Sequence, residues 1–216
     1  HCESPKEAYQ DVTPILQLLA KRLGKTPESL RIYDPYFCAG AVVRHLGALG
    51  FSNVYNKNED FYKVCRQGRV PDHDVLVTNP PYSDYHVRKL LAFCRKNGKP
   101  FLLLMPNYFC IKDYYRTSLQ LFGGAGEISP ECEEPSYVTP RRGRYMYFTP
   151  KGLHRRDCAQ NHVTADGYRT SPYVSFWYID LSPVLSKAEL RSWWASSAEK
   201  EYARIEAFKG CGKETG

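Results

Sequence analysis

The stretch Asp74-Val-Leu-Val-Thr-Asn-Pro-Pro-Tyr-Ser83 constrains this chain more than any other. Val75, Leu76 and Val77 form a short aliphatic, β-branched run, which predicts a strand buried on both faces of a parallel sheet. Asn79-Pro80-Pro81-Tyr82 then leaves the strand's carboxyl end, the edge at which open α/β sheets place their ligands. The two prolines fix φ near about −65° and carry no N–H, so the corner is stiff and its carbonyls must find partners elsewhere. Such a corner can offer the Asn79 amide oxygen and the Pro80 carbonyl to a single NH2 group. Tyr82 can lie flat against the ring that carries it.

Around this corner, strand and helix signals alternate. Thr13 as a cap and Pro14 at a first helical position predict a helix that starts there, with Val12, Ile15, Leu16, Leu19 and Leu23 on its apolar face and Gly24 ending it. Strands are predicted over 30–33, 52–55 and 101–105, and helices over 41–49, 85–97 and 112–122. In the helix 85–97, Val87, Leu90, Leu91 and Cys94 face inward and Gly98 terminates it. This regular alternation means a parallel sheet with right-handed crossovers, in a single α/β domain covering 1–216. Further on, 145–148 and 174–179 read as strands, joined by a polar, basic loop over 150–171. A connection of that length is usually functional or disordered. Ser186-Lys-Ala-Glu189 is a capping box with Leu185 and Leu190 as a staple, opening a C-terminal helix over 186–209.

Composition narrows the partners. The 216 residues carry 30 Lys and Arg against 23 Asp and Glu, a formal charge of +7. A pI near 8.9 favours an acidic partner, nucleic acid first. Mean hydropathy of −0.51 and the lack of an apolar run near ~20 residues fit a soluble protein that spans no membrane. No signal peptide is visible, and a start at His1 rather than Met points to a fragment or processed form. Eight cysteines lie scattered without a C-x-x-C pair, as expected of a reduced intracellular protein, cytoplasmic or nuclear. His154, Cys158 and His162 are spaced four apart, but Arg155, Arg156 and Asn161 argue against the helix that would bring them together. No metal site is read from them.

Asn79-Pro80-Pro81-Tyr82 resembles the signature of S-adenosylmethionine-dependent amino-methyltransferases, which act on adenine N6, some guanine N2 and some glutamine side chains. Asp34-Pro-Tyr-Phe-Cys-Ala-Gly40 is similar to the Asp-Pro-Phe-Cys-Gly-Ser-Gly cofactor turn of the nucleic-acid enzymes. It aligns at Asp34, Pro35 and Gly40, with Tyr36 inside the turn, Cys38 one place late and the middle glycine absent. The resemblance implies a class I methyltransferase (Rossmann-like) fold, with helices on both faces and an antiparallel hairpin closing the sheet. It implies S-adenosyl-L-methionine as cofactor, with Asp34 near the methionine ammonium and Gly40 allowing close backbone approach. Thr13 would line the methionine end, Asn56 or Asn58 would hold the ribose, and Asp60 with Phe61 would clamp the adenine. Glu59-Asp60 reads equally as a solvated helix start.

The expected activity is methyl transfer to a nucleobase amino group, adenine N6 first, in DNA or RNA, with Asn79, Pro80, Pro81 and Tyr82 as the catalytic corner. Asn79 rather than Ser leans toward adenine over cytosine. Protein glutamine methylation and a silent nucleic-acid-binding subunit are the alternatives. Arg141, Arg142, Arg144, Lys151, Arg155 and Arg156, interleaved with tyrosines, suit phosphate and base contact, and a solvated loop is the competing reading. A partner subunit or further domain for target recognition is also expected.

Overall fold

In a computed structural model of the chain, the structure describes residues 4–106, 108–109, 112, 136–138, 162–163, 169–170, 175–182, 184–194 and 196. Their elements run α1 (Lys6–Arg22), β1 (Ile32–Tyr33), α2 (Ala41–Gly47), β2 (Val54–Tyr55), α3 (Phe61–Arg66), β3 (Val75–Thr78), α4 (Asp84–Asn97), β4 (Phe101–Pro106), β5 (Ser136–Val138), β6 (His162–Val163), β7 (Arg169–Thr170) and β8 (Ser175–Asp180). Residues 187–194 are helical.

One six-stranded sheet has the order β2-β1-β3-β4-β8-β5. The four strands β2, β1, β3 and β4 run parallel, and β8 runs antiparallel between β4 and β5. β3 and β4 are buried along their whole length, as aliphatic runs covered on both sides must be. Alternate residues divide the core. Ile32, Val75, Val77, Leu102, Leu104, Trp177 and Ile179 pack with α1, α2, Leu185 and Leu190. Tyr33, Leu76, Phe101, Leu103, Met105 and Tyr178 pack with Phe61 of α3 and with Val87, Leu90, Leu91 and Cys94 of α4. The result is three layers, helices on each face of the sheet. From β1 the chain steps outward to β2, then returns past β1 to β3. A switch point therefore lies between the carboxyl ends of β1 and β3.

One expectation needs correction. Helix α1 begins at Lys6, seven residues before Thr13, so Thr13 is not a cap: its hydroxyl donates to the Tyr9 carbonyl at 2.9 Å. Pro14 sits inside the helix, where its missing N–H deprives the carbonyl of exposed Gln10. Burial of Ala8, Tyr9 and Val12 in line with Ile15, Leu16 and Leu19 extends the helix through the proline. Of the two expected closing strands, 174–179 corresponds to β8, which runs antiparallel to β4 on one edge and to β5, a strand the sequence did not announce, on the other. Within the span 150–171, the described residues form a short antiparallel pair, β6 and β7. Residues 113–122 of one expected helix, the expected strand 145–148 and most of the expected C-terminal helix beyond residue 194 lie outside the described residues.

The capping box forms as its residues dictate. Glu189 accepts from the Ser186 N–H at 3.0 Å and hydroxyl at 2.7 Å, and its own N–H donates back to Ser186 Oγ at 3.3 Å. Gly98 ends α4 at φ 63°, a left-handed turn that suits glycine.

At the opposite end of the sheet from the switch point, Asp74 ties β3 to β1. Its carboxylate accepts from Lys25 Nζ at 2.6 Å, Arg31 N–H at 2.8 Å and Arg31 Nη2 at 2.8 Å. Burial alone would raise the Asp74 pKa, but the Arg31 and Lys25 donors outweigh it and hold the carboxyl well below the usual range. Stability from this lowered pKa is complete above the ordinary carboxylate pKa and is lost as the pH falls. Asp74→Asn is expected to cost about 2 kcal/mol at pH 7, a difference that shrinks below about pH 4. Urea unfolding of both chains at pH 7 and pH 3 measures it.

Candidate functional site

The cleft sits at the switch point. Ser4, Tyr9, Asp34, Tyr36, Phe37, Cys38, Gly40, Val42, Asn56, Asn79 and Pro81 line a shallow, solvent-open cleft. Each strand contributes at its carboxyl end: β1 leads to Asp34, β2 to Asn56 and β3 to Asn79.

Asp34 is 5% exposed. Its Oδ1 accepts from the Tyr36 N–H at 3.1 Å and from the hydroxyl of fully buried Thr78, so the carboxylate fastens the ends of β1 and β3 together. Its N–H continues the ladder to the Tyr55 carbonyl, and its own carbonyl accepts from Asn56 Nδ2 at 3.1 Å. The Asn56 amide is thereby oriented, with Oδ1 buried and without a hydrogen-bond partner among the described residues. A buried amide oxygen left unsatisfied costs free energy and is a vacant acceptor for a ligand donor.

Gly40 precedes α2 with φ 78°, a left-handed conformation that side chains disfavour. A Cβ there would also stand 3.3 Å from the Phe37 ring and 3.9 Å from Asn56 Oδ1. Glycine thus serves twice, making the turn and keeping the space beside the vacant oxygen clear.

The Asn79 amide is held from both sides. Its Nδ2 donates to Ser4 Oγ at 3.0 Å, and its Oδ1 accepts from the Tyr82 hydroxyl at 2.7 Å. Ser4 is 4% exposed, so the N-terminal segment packs directly on the corner. The Tyr82 ring packs against buried Phe109, with centroids 6.4 Å apart. An amide oxygen has two lone pairs. With one taken by Tyr82, the other remains available for an incoming N–H.

Of the sequence-predicted residues, Asp34, Tyr36, Gly40, Asn56, Asn79 and Pro81 share the cleft. Thr13, Pro35, Asn58, Asp60, Phe61, Pro80 and Tyr82 do not line it. Asp60 instead caps α3, accepting from the N–H groups of Tyr62 at 2.8 Å and Lys63 at 3.0 Å, donors that hold its pKa down. Phe61 is buried among Tyr36, Tyr62 and Phe93 rather than presented to a ligand. Helix capping and core packing therefore account for the Asp-Phe pair. Asn58 is exposed and Pro80 buried. Arg141, Arg142, Arg144, Lys151, Arg155 and Arg156 lie outside the described residues, as do His154 and Cys158.

Sequence reading missed Ser4, Tyr9, Phe37, Val42 and Thr78. Thr78 carries a local signal, since a hydroxyl ending an aliphatic strand just before Asn79 must satisfy itself inside the sheet. Ser4 has none, because its contact with Asn79 spans 75 residues.

No helix among the described residues is long and apolar enough to cross a membrane. Comparison with protein-family models, curated proteins and solved structures finds no match.

Proposed function

We propose that this chain transfers a methyl group from S-adenosylmethionine to the exocyclic amino group of a nucleobase, adenine N6 first, on a methyltransferase-type α/β sheet. The observation that carries the proposal is the Asn79 amide. It is fixed by Ser4 and Tyr82 at the end of β3, and it shares one cleft with Asp34 and the vacant Asn56 oxygen. The parallel strands closed by antiparallel β8 agree with this reading.

The residues fit the cofactor's chemistry. Asp34 offers a carboxylate to a cationic ammonium, Asn56 Oδ1 offers a buried acceptor to a hydroxyl or amine, and Gly40 leaves room for close approach. The bound cofactor would supply an electrophilic methyl on a sulfonium, which moves to nitrogen as the carbon–sulfur bond breaks.

The chain's own task is to hold the acceptor nitrogen. In adenine the amino lone pair is delocalised into the ring, so the nitrogen must pyramidalise to attack. An oriented Asn79 Oδ1 accepting one N–H favours that geometry most in the transition state, where an interaction raises the rate. The proton becomes acidic once the methyl is attached, so it can leave to solvent without a base acting beforehand.

Incubating the chain with isotopically labelled S-adenosylmethionine and single-stranded DNA, RNA or a glutamine peptide, followed by mass spectrometry, tests the assignment. Labelled N6-methyladenosine or its deoxy form is expected. Label on glutamine alone would move the substrate to protein, and no label anywhere would remove the enzyme reading.

Tyr82 supports Asn79 by its hydroxyl and a substrate base by its ring. Tyr82→Phe, which removes one hydrogen bond, is expected to lower turnover about 3- to 10-fold. Tyr82→Ala also removes the stacking face, worth roughly 1–3 kcal/mol per base, and is expected to lose considerably more. Steady-state kinetics of the two variants separate the contributions.

A further inference from the structure

Beside the cleft lies a second feature that the catalytic corner does not use. Among the described residues two large hydrophobic side chains are exposed, and one of them, Tyr85, is 56% exposed. It stands in the first turn of α4, three residues beyond Tyr82. Lys89, one turn on, donates from Nζ to the Tyr85 hydroxyl at 2.6 Å and lies 4.3 Å from its ring centroid. The Tyr62 ring, in the first turn of α3, meets Tyr85 edge-on at 6.0 Å and stacks on His86 at 5.5 Å. The Tyr62 hydroxyl hydrogen-bonds His86 Nδ1 and lies 3.3 Å from the hydroxyl of Tyr36, which lines the cleft. An unbroken run of rings thus leads from the cleft wall to the surface.

Both helices start where strands end, so these first turns open on the same rim of the sheet as Asn79. The surrounding charge carries a small positive excess. Lys57 lies 4.8 Å from the Tyr55 ring, and Lys63 and Arg66 are exposed on α3. None of Lys57, Lys63, Arg66 and Lys89 forms an ion pair among the described residues. The nearby acids are Glu59, which accepts from the Tyr55 hydroxyl, Asp60, spent on capping α3, and Asp84 at the start of α4.

We propose that Tyr85, braced by Lys89 and Tyr62, is a stacking platform for a base flanking the target in a single-stranded nucleic acid, with the four cations following its backbone. The proposal rests on the nucleobase reading above and adds where the strand lies. An exposed aromatic face accepts any base, and lysines beside it neutralise phosphates, the combination that single-strand grooves use. An acidic peptide would use the cations but has no need of the ring face, and a rigid duplex presents no unstacked base to it.

Fluorescence anisotropy with a labelled 12-nucleotide single strand tests the platform, using the full chain. Tyr85→Ala is expected to raise Kd about 5- to 100-fold, with Tyr85→Trp close to wild type. Lys89→Ala is expected to lower the log–log salt slope by about one. Calorimetric affinity for S-adenosylmethionine should be the same in every variant, since none of them lines the cleft. Wild-type affinity in Tyr85→Ala, failure of Tyr85→Trp to retain binding, or a wild-type chain that ignores the strand would each overturn the platform. Ring-dependent binding without methyl transfer would uphold it and remove the enzymatic reading instead.

Discussion

Asn79→Ala is expected to lower methyl transfer about 100- to 1000-fold while leaving S-adenosylmethionine affinity within about twofold of wild type. The magnitude is that of deleting one pre-oriented polar group that acts on the reacting atoms in the transition state. The asymmetry comes from the geometry. Asn79 is fastened by its Nδ2 to Ser4 and by its Oδ1 to Tyr82, so its remaining lone pair is aimed by the fold and gains nothing from a ligand that does not present an N–H. Single-turnover rates, read beside calorimetric titration of the cofactor, measure the two effects separately. Equal loss of rate and cofactor affinity would assign Asn79 to the cofactor. Unchanged turnover would remove it from the chemistry.

Asp34→Asn is expected to weaken cofactor binding about 30-fold or more with little change in stability. Alanine is the poorer probe here, because it would strand the Thr78 hydroxyl and the Tyr36 N–H, both of which donate to Asp34 Oδ1 in the interior. Leaving such donors unmet costs roughly 1–3 kcal/mol each and would mix a folding defect into the result. Asparagine keeps an oxygen for both donors while an NH2 replaces the other oxygen and the charge is removed. What is lost is then the attraction between a buried carboxylate and a cation, worth more in this environment than at the surface. Thermal unfolding within a few degrees of wild type, with the calorimetric signal lost, is the expected pair of results. Undiminished affinity would place the ammonium elsewhere.

Much of the fold was legible because its strands are short aliphatic runs with polar ends. A run such as Val75–Thr78 cannot face water on either side, and its burial along all four residues follows from that alone. Asp34, Gly40 and Asn79 share the cleft for a related reason: each stands past such a run, where the chain turns at the carboxyl edge of the sheet. The start of α1 was misread because Thr13-Pro14 is a strong local start signal, whereas the burial of Ala8, Tyr9 and Val12 that overrides it depends on strands far along the chain. Asp60 and Phe61 stand outside the cleft, and the local physics of an N-cap before a buried aromatic accounts for their places. Ser4 and β5 could not be read at all. Their roles exist only through partners distant in sequence, Asn79 for one and β8 for the other.

The position of β8 has a consequence for how the chain matures. It fills the slot between β4 and β5, and its Trp177 indole N–H donates to the Ala8 carbonyl of α1, 169 residues earlier. On a ribosome the first four strands emerge well before it, leaving the fully apolar β4 as an open edge of the kind that recruits other chains. Until Trp177 arrives, α1 lacks one of its anchors, and α1 is the element that follows directly from Ser4, which sets the Asn79 amide. Nascent chains stopped short of residue 175 should therefore be aggregation-prone. The last strand to be made thus ties the first helix to the centre of the sheet.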